Sequence, residues 1–136
     1  MGAVYARDRF RIEKPKVGLL SIGEEAGKGN PLVKESFAYL DSEDWQKRSS
    51  ARFIGNVEGR DLMSGVADVI VTDGFTGNVA LKTLEGTAKS IVTALLGAFS
   101  SSPDAEQGAE LLAPALLPLY AKLDPDSVGG AVLLGV

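Results

Sequence analysis

The chain has 136 residues, with 14 Lys plus Arg against 18 Asp plus Glu, so it carries a net charge of −4. It contains neither Cys nor His, which excludes disulfides, thiol nucleophiles, thiolate metal sites, a Ser-His-Asp triad and nearly every zinc site. At 45% hydrophobic and 24% charged it has the composition of one ordinary globular domain with no apolar stretch long enough to span a membrane, which leaves the chemistry to carboxylates, Lys and Arg, amides, hydroxyls and backbone dipoles.

Residues 1–11 read as the end of a helix, with Val4, Tyr5, Phe10 and Ile12 turned inward. Met1 opens on a helical pattern without a cap, so a segment ahead of it is expected. Lys14-Pro15 breaks the helix. Residues 16–22 are then a short apolar run of the kind that fills a buried parallel strand. A Gly-rich loop, Gly23 to Asn30, leads to a helix with Asn30 as N-cap and Pro31 at its first position. That helix would bury Leu32, Val33, Ser36, Phe37 and Leu40. A short polar helical turn is expected from Asp44 to Arg48, with Trp45 as a surface cover.

Residues 52–57 form a second strand candidate, and 67–72, β-branched and followed at once by turn residues, the strongest. A long helix from about Thr76 to Phe99 places Leu84, Ala88, Ile91, Val92, Leu95, Leu96 and Phe99 on one face. Residues 100–104 are a loop, and 105–123 a Leu-rich helix kinked or broken by Pro114 and Pro118. Its leucines suit packing or a dimer mate, and alternatively a membrane surface or an acyl chain. Gly129-Gly130 opens a last strand-like run, 131–136. Strands alternating with helices imply an α/β fold on a parallel sheet. A strand with nothing after it suggests a chain cut from something longer: residues 1–136 as one partial α/β domain, with 100–127 a helical excursion. No charged-then-apolar leader opens the chain, and a cytoplasmic protein is expected.

In such sheets ligands bind at the carboxyl ends of the strands, and three loops occupy that place. The third, Asp73-Gly74-Phe75-Thr76-Gly77-Asn78, precedes the long helix, whose free N–H groups suit an anion such as phosphate. Asn78 offers an amide donor and Asp73 a ligand-orienting carboxylate; the bland alternative is a turn in which Asp73 or Thr76 caps the helix. The first loop sets Lys28 between two glycines, and its Glu24-Glu25 reads as a solvated pair. The second holds Asn56, Glu58 and Arg60, where Glu58 and Arg60 suit either substrate or each other. Residues 1–60 carry 11 basic and 9 acidic groups, and 61–136 carry 3 and 9. The basic run Arg7, Arg9, Arg11, Lys14 and Lys16 reads as a dock for an acidic partner or as a solvated helix face. Nucleic acid fits poorly with the acidic balance and the lack of interleaved aromatics.

Four motifs in order resemble the phosphate acyltransferases of bacterial phospholipid synthesis, the PlsX family. They are residues 15–25 (Pro-Lys-Val-Gly-Leu-Leu-Ser-Ile-Gly-Glu-Glu) with Lys28-Gly29-Asn30, then 53–61 (Phe-Ile-Gly-Asn-Val-Glu-Gly-Arg-Asp), then 73–86 from Asp73-Gly74-Phe75-Thr76-Gly77-Asn78 to Gly86, then Gly129-Gly130-Ala131 with the terminal Leu-Leu-Gly. Family members are longer, and residues 100–127 depart most from the pattern. The resemblance implies a three-layer α/β/α Rossmann-like fold of the isopropylmalate dehydrogenase and phosphotransacetylase type. It implies transfer of a long-chain acyl group from acyl carrier protein to inorganic phosphate, with no cofactor or metal. It also implies a homodimer with peripheral membrane contact, whose product passes to a membrane glycerol-3-phosphate acyltransferase. On this reading Asp73, Asn78 and Lys28 are catalytic, and Gly74, Phe75, Thr76, Gly77, Asn30, Asn56, Glu58 and Arg60 bind substrate or phosphate. Arg7, Arg9, Arg11, Lys14 and Lys16 then dock the acidic carrier protein. The rivals are a phosphotransacetylase acting on short acyl-CoA and a non-catalytic binding or dimerisation fragment.

Overall fold

The computed structural model describes residues 1–123. In chain order they form α1 (Gly2–Phe10), β1 (Lys16–Leu20), α2 (Pro31–Leu40), α3 (Glu43–Ser49), β2 (Arg52–Val57), a 3-10 turn (Gly59–Asp61), β3 (Val69–Val71), α4 (Gly74–Phe99) and α5 (Pro103–Leu123). The strand expected over 131–136 and its Gly129-Gly130 opening lie outside the described residues. The described chain divides into two compact units, one of Met1–Gly77 and one beginning at Asn78.

The first unit holds a mixed α/β arrangement around a small parallel sheet of order β2-β1-β3. β1 is central, and Val17, Leu19 and Leu20 are all buried. β3 is shorter than the 67–72 run promised. Asp68 spends its side chain on the sheet's entry instead of extending the strand: its Oδ2 accepts from the Lys16 amide at 2.7 Å, while its own amide donates to the Lys16 carbonyl at 2.9 Å.

α1 buries Ala3 and Ala6, not Val4 and Phe10, which are exposed; Tyr5 and Ile12 are half-buried. The reason is closeness. A Cβ on Gly2 would lie 2.9 Å from Val69 Cγ1, so only the smallest side chains can face the sheet. α1 ends at Arg11, whose φ of 59° is left-handed, ahead of the Lys14-Pro15 break. In α2, Leu40 is buried and Val33, Ser36 and Phe37 are half-buried, whereas Leu32 is exposed.

Trp45 corrects its assignment as a surface cover. It packs against both core clusters, Ala3/Val17/Ala51 and Leu19/Leu40/Phe53. Its ring meets Phe53 edge-on at 6.4 Å, and Phe37 meets Phe53 at 5.1 Å. The polar residues around it pair with one another along α3, Lys47 with Glu43 and Arg48 with Asp44, so the indole alone turns inward.

β2 carries a bulge. Val17 pairs with Phe53 but Gly18 pairs with Gly55, leaving Ile54 as an extra residue. Gly55 has φ 92°, a conformation that favours glycine. Opposite it, a Cβ on Gly18 would lie 2.7 Å from Val57 Cγ1.

In the second unit no residue of α4 is buried. Leu84, Ala88, Val92 and Phe99 are half-buried, and Ile91, Leu95 and Leu96 are exposed, so the apolar face is only partly covered among the described residues. α5 begins earlier than expected, at Pro103, with Ser102 Oγ accepting from the Ala105 amide. It runs unbroken past Pro114 and Pro118; each proline removes one backbone donor without ending the helical path. No helix among the described residues is long and apolar enough to cross a membrane.

Candidate functional site

The three loops that follow β1, β2 and β3 hold the site residues of the first unit. Their geometry separates side chains that build the loops from those left to meet a ligand.

In the loop after β1, Asn30 caps α2: its Oδ1 accepts from the Val33 amide at 2.9 Å. Gly29 has φ +102°, and a Cβ there would fall 2.6 Å from Val33 Cγ1 and 3.0 Å from Ser21 Oγ, so the loop turns tightly onto the helix. Lys28 is exposed. Its amide donates to the Glu25 carbonyl at 3.0 Å, and its ammonium has no ion pair among the described residues. Gly23 is buried, and a Cβ there would come within 2.9 Å of Lys28 Cγ.

Asn56, at the end of β2, is only 6% exposed. Its Nδ2 donates to the Glu25 carbonyl at 2.8 Å and so ties the Gly-rich loop to the sheet. Its Oδ1 is buried without a partner, as is Ser21 Oγ. Asn56 is therefore first a strut of the loop that carries Lys28. Glu58 forms a reciprocal cap with Asp61, the Glu58 amide donating to Asp61 Oδ2 at 2.8 Å.

Arg60 Nη2 lies 3.0 Å from Glu24 Oε1 and 3.1 Å from Glu58 Oε2. Its guanidinium is held even further above its ordinary value, first by the hydrogen bond to Glu24 and then by the charge of Glu58. The pairing of Arg60 with Glu58 was one of two expected alternatives. Its pairing with Glu24, 36 residues away in sequence, was not foreseen, and Glu24 is no merely solvated acid.

In the loop after β3, Asp73 is the N-cap of α4. Its Oδ1 accepts from the Thr76 amide at 2.9 Å, its Oδ2 from the Thr76 hydroxyl at 2.6 Å, and its carbonyl from the Gly77 amide at 2.9 Å. The helix start thus already holds an anion of its own. Gly74 and Phe75 are exposed, the latter by 81%. Gly77 packs so closely that a Cβ would lie 2.8 Å from Thr72 Cγ2. Asn78, exposed, is the first residue of the second unit.

The Thr76 hydroxyl, and then the Thr76 amide, hold the Asp73 carboxyl below the usual carboxylate range. A group whose pKa is lower folded than unfolded adds stability above the ordinary range and loses it as pH falls through the folded value. Asp73→Ala is expected to lower the melting midpoint by a few degrees at pH 7. The gap to the unaltered chain should narrow as pH falls toward and below the folded value. Thermal melts followed at 222 nm across pH check this; a gap constant with pH would contradict it.

The basic run is not one patch. Arg7 pairs with Asp8 at 3.3 Å, and Lys16, half-buried in β1, donates from Nζ to the Gly65 carbonyl at 3.4 Å. Arg9, Arg11 and Lys14 are exposed, with the Arg9 guanidinium 5.9 Å from the Phe10 ring centroid.

Residues 1–136 match the family model described as fatty acid synthesis protein. The chain belongs to that family. Among its relatives is the phosphate acyltransferase of Elusimicrobium minutum, 53% identical over 136 residues, which are all of this chain and 38% of that protein. The phosphate acyltransferases of Bacillus pumilus and Oceanobacillus iheyensis are each 48% identical over the whole chain, which covers 39% of each. The chain thus spans about two-fifths of the length of these fatty acid synthesis family relatives.

Proposed function

We propose that this chain is part of an enzyme that transfers a long-chain acyl group from acyl carrier protein to inorganic phosphate. The reading rests on 53% identity, over all 136 residues, to a protein named phosphate acyltransferase. A phosphate oxygen attacks the thioester carbonyl, and the tetrahedral oxyanion collapses. The C–O bond of an acyl phosphate forms, the C–S bond breaks, and the carrier thiolate takes a proton from water. Phosphate is already anionic at neutral pH, so the attack does not call for a His or Cys to generate the nucleophile, and this chain has neither. The protein's task is to bind phosphate beside the thioester and stabilise the oxyanion.

In this reading Lys28 is a donor of the first unit, where Gly74, Phe75, Thr76 and Gly77 form the approach, and Asn78 is a donor carried by the second unit. Asp73 fixes the first turn of α4, and Asn30 and Asn56 hold the Lys28 loop in shape. The exposed Arg9, Arg11 and Lys14 suit the acidic carrier protein. The same reading includes the three-layer Rossmann-like fold, a homodimer working in the cytoplasm, and peripheral contact with a membrane where a glycerol-3-phosphate acyltransferase uses the product.

The test is phosphate-dependent release of thiol from palmitoyl-carrier protein, followed with a thiol reagent. This chain would be run beside the Elusimicrobium minutum protein carrying it in place of the matching segment. Release that requires phosphate, with a carrier-protein KM that rises with salt, is the expected result. Release from acetyl-CoA but not from the carrier would overturn the donor, and no phosphate-dependent release from either would overturn the activity.

A further inference from the structure

We propose that Arg60 is an anion clamp held closed by Glu24, and that inorganic phosphate opens it by taking Glu24's place. The inference rests on the phosphate reading above and names what regulates access to that site.

The two carboxylates that share Arg60 Nη2 are not equivalent. Glu58 is built in: its side chain is 27% exposed, and it is locked in the reciprocal cap with Asp61. Glu24 is loosely held. Its side chain is 68% exposed, and Arg60 is its carboxylate's one hydrogen-bond partner among the described residues. An exposed ion pair contributes little and exchanges readily. A phosphate dianion brings more charge to the same guanidinium and can engage two of its N–H groups at once. Among the described residues, the N–H groups of Arg60 other than those on Nη2 have no protein acceptor.

Glu24 also belongs to the loop that carries Lys28. Exchange removes a competing carboxylate from Arg60 and leaves Glu58 to keep the guanidinium in place. Glu24 therefore sets how much phosphate is needed before the clamp opens.

Phosphate binding measured by calorimetry tests this, on the chain and on the Elusimicrobium minutum protein carrying it. Glu24→Gln is expected to tighten inorganic phosphate about two- to fivefold, the size of one exposed ion pair. Glu25→Gln removes the same charge from the neighbouring residue, which has no ion pair among the described residues, and should change affinity far less. In an Arg60→Ala background the gain from Glu24→Gln should vanish. Equal gains from the two glutamine variants, or a gain that survives Arg60→Ala, would overturn the clamp. Phosphate bound equally by the unaltered chain and Glu24→Gln would overturn the clamp and leave the phosphate reading standing. Phosphate bound by no variant in either protein would overturn both.

Discussion

Replacing Phe53 with Ala is expected to destabilise the first unit by about 3–5 kcal/mol. Phe53 is 9% exposed and is the ring on which the aromatic part of the core converges, edge-on to Phe37 at 5.1 Å and to Trp45 at 6.4 Å. Truncation removes the transfer free energy of a phenyl ring. It also leaves a void that the parallel strands cannot close, because β2 is pinned to β1 on both sides of its bulge. Trp45 is the only Trp in the chain and packs on this ring, so its fluorescence reports the unit directly. Urea unfolding followed at that tryptophan would show the midpoint fall with little change in slope. A loss below about 1 kcal/mol would mean that the site collapses freely and that the aromatic cluster is not the centre of the core.

The second large effect falls on activity. Lys28→Met keeps an apolar stem against Gly23 and removes the charge. Because Lys28 is exposed and unpaired among the described residues, the melting midpoint should barely move. Phosphate-dependent thiol release, measured in the Elusimicrobium minutum protein carrying this chain, should fall about 10²-fold, the scale seen when one preorganised donor is lost. If the loss lies in KM for phosphate, the ammonium binds the ground state; if it lies in kcat, the ammonium acts on the developing oxyanion. A fall of less than threefold, on that same scale, would remove Lys28 from the site.

Local rules made much of the fold legible. Asn30-Pro31 announces the start of α2 through its own chemistry, and Arg52–Val57 matches β2 residue for residue. Trp45 was misread because its sequence neighbours are polar. What turns it inward is the pairing of those neighbours along α3 and two core clusters assembled from distant segments, neither visible in a short window. Val4 and Phe10 failed for a related reason: hydrophobicity favours burying them, but the clearance between α1 and β3 admits only alanines and glycine. At the site, the loops could be placed from strand ends alone. The division of labour inside them could not, because it depends on contacts such as Asn56 to Glu25 and Arg60 to Glu24, which span 31 and 36 residues. Asp73 shows the opposite case, since a carboxylate three residues ahead of a threonine at a helix start carries its capping role on its face.

The bulge at Ile54 has a consequence for how this chain can change length. In a regular strand, residues three apart point to opposite faces. Here Phe53 and Asn56 pair with Val17 and Leu19, two residues apart on β1, so the surplus residue restores parity and keeps Asn56 on the side of the aromatic core. Deleting Ile54 would remove the bulge and pair Phe53, Gly55 and Asn56 with Val17, Gly18 and Leu19 one to one, so Asn56 would keep its side and its reach to the Glu25 carbonyl. Losing a residue of β2 while the bulge persisted would instead turn Asn56 to the other face and cost the Gly-rich loop its tether. The bulge is therefore where this strand can shorten by a single residue and keep its register.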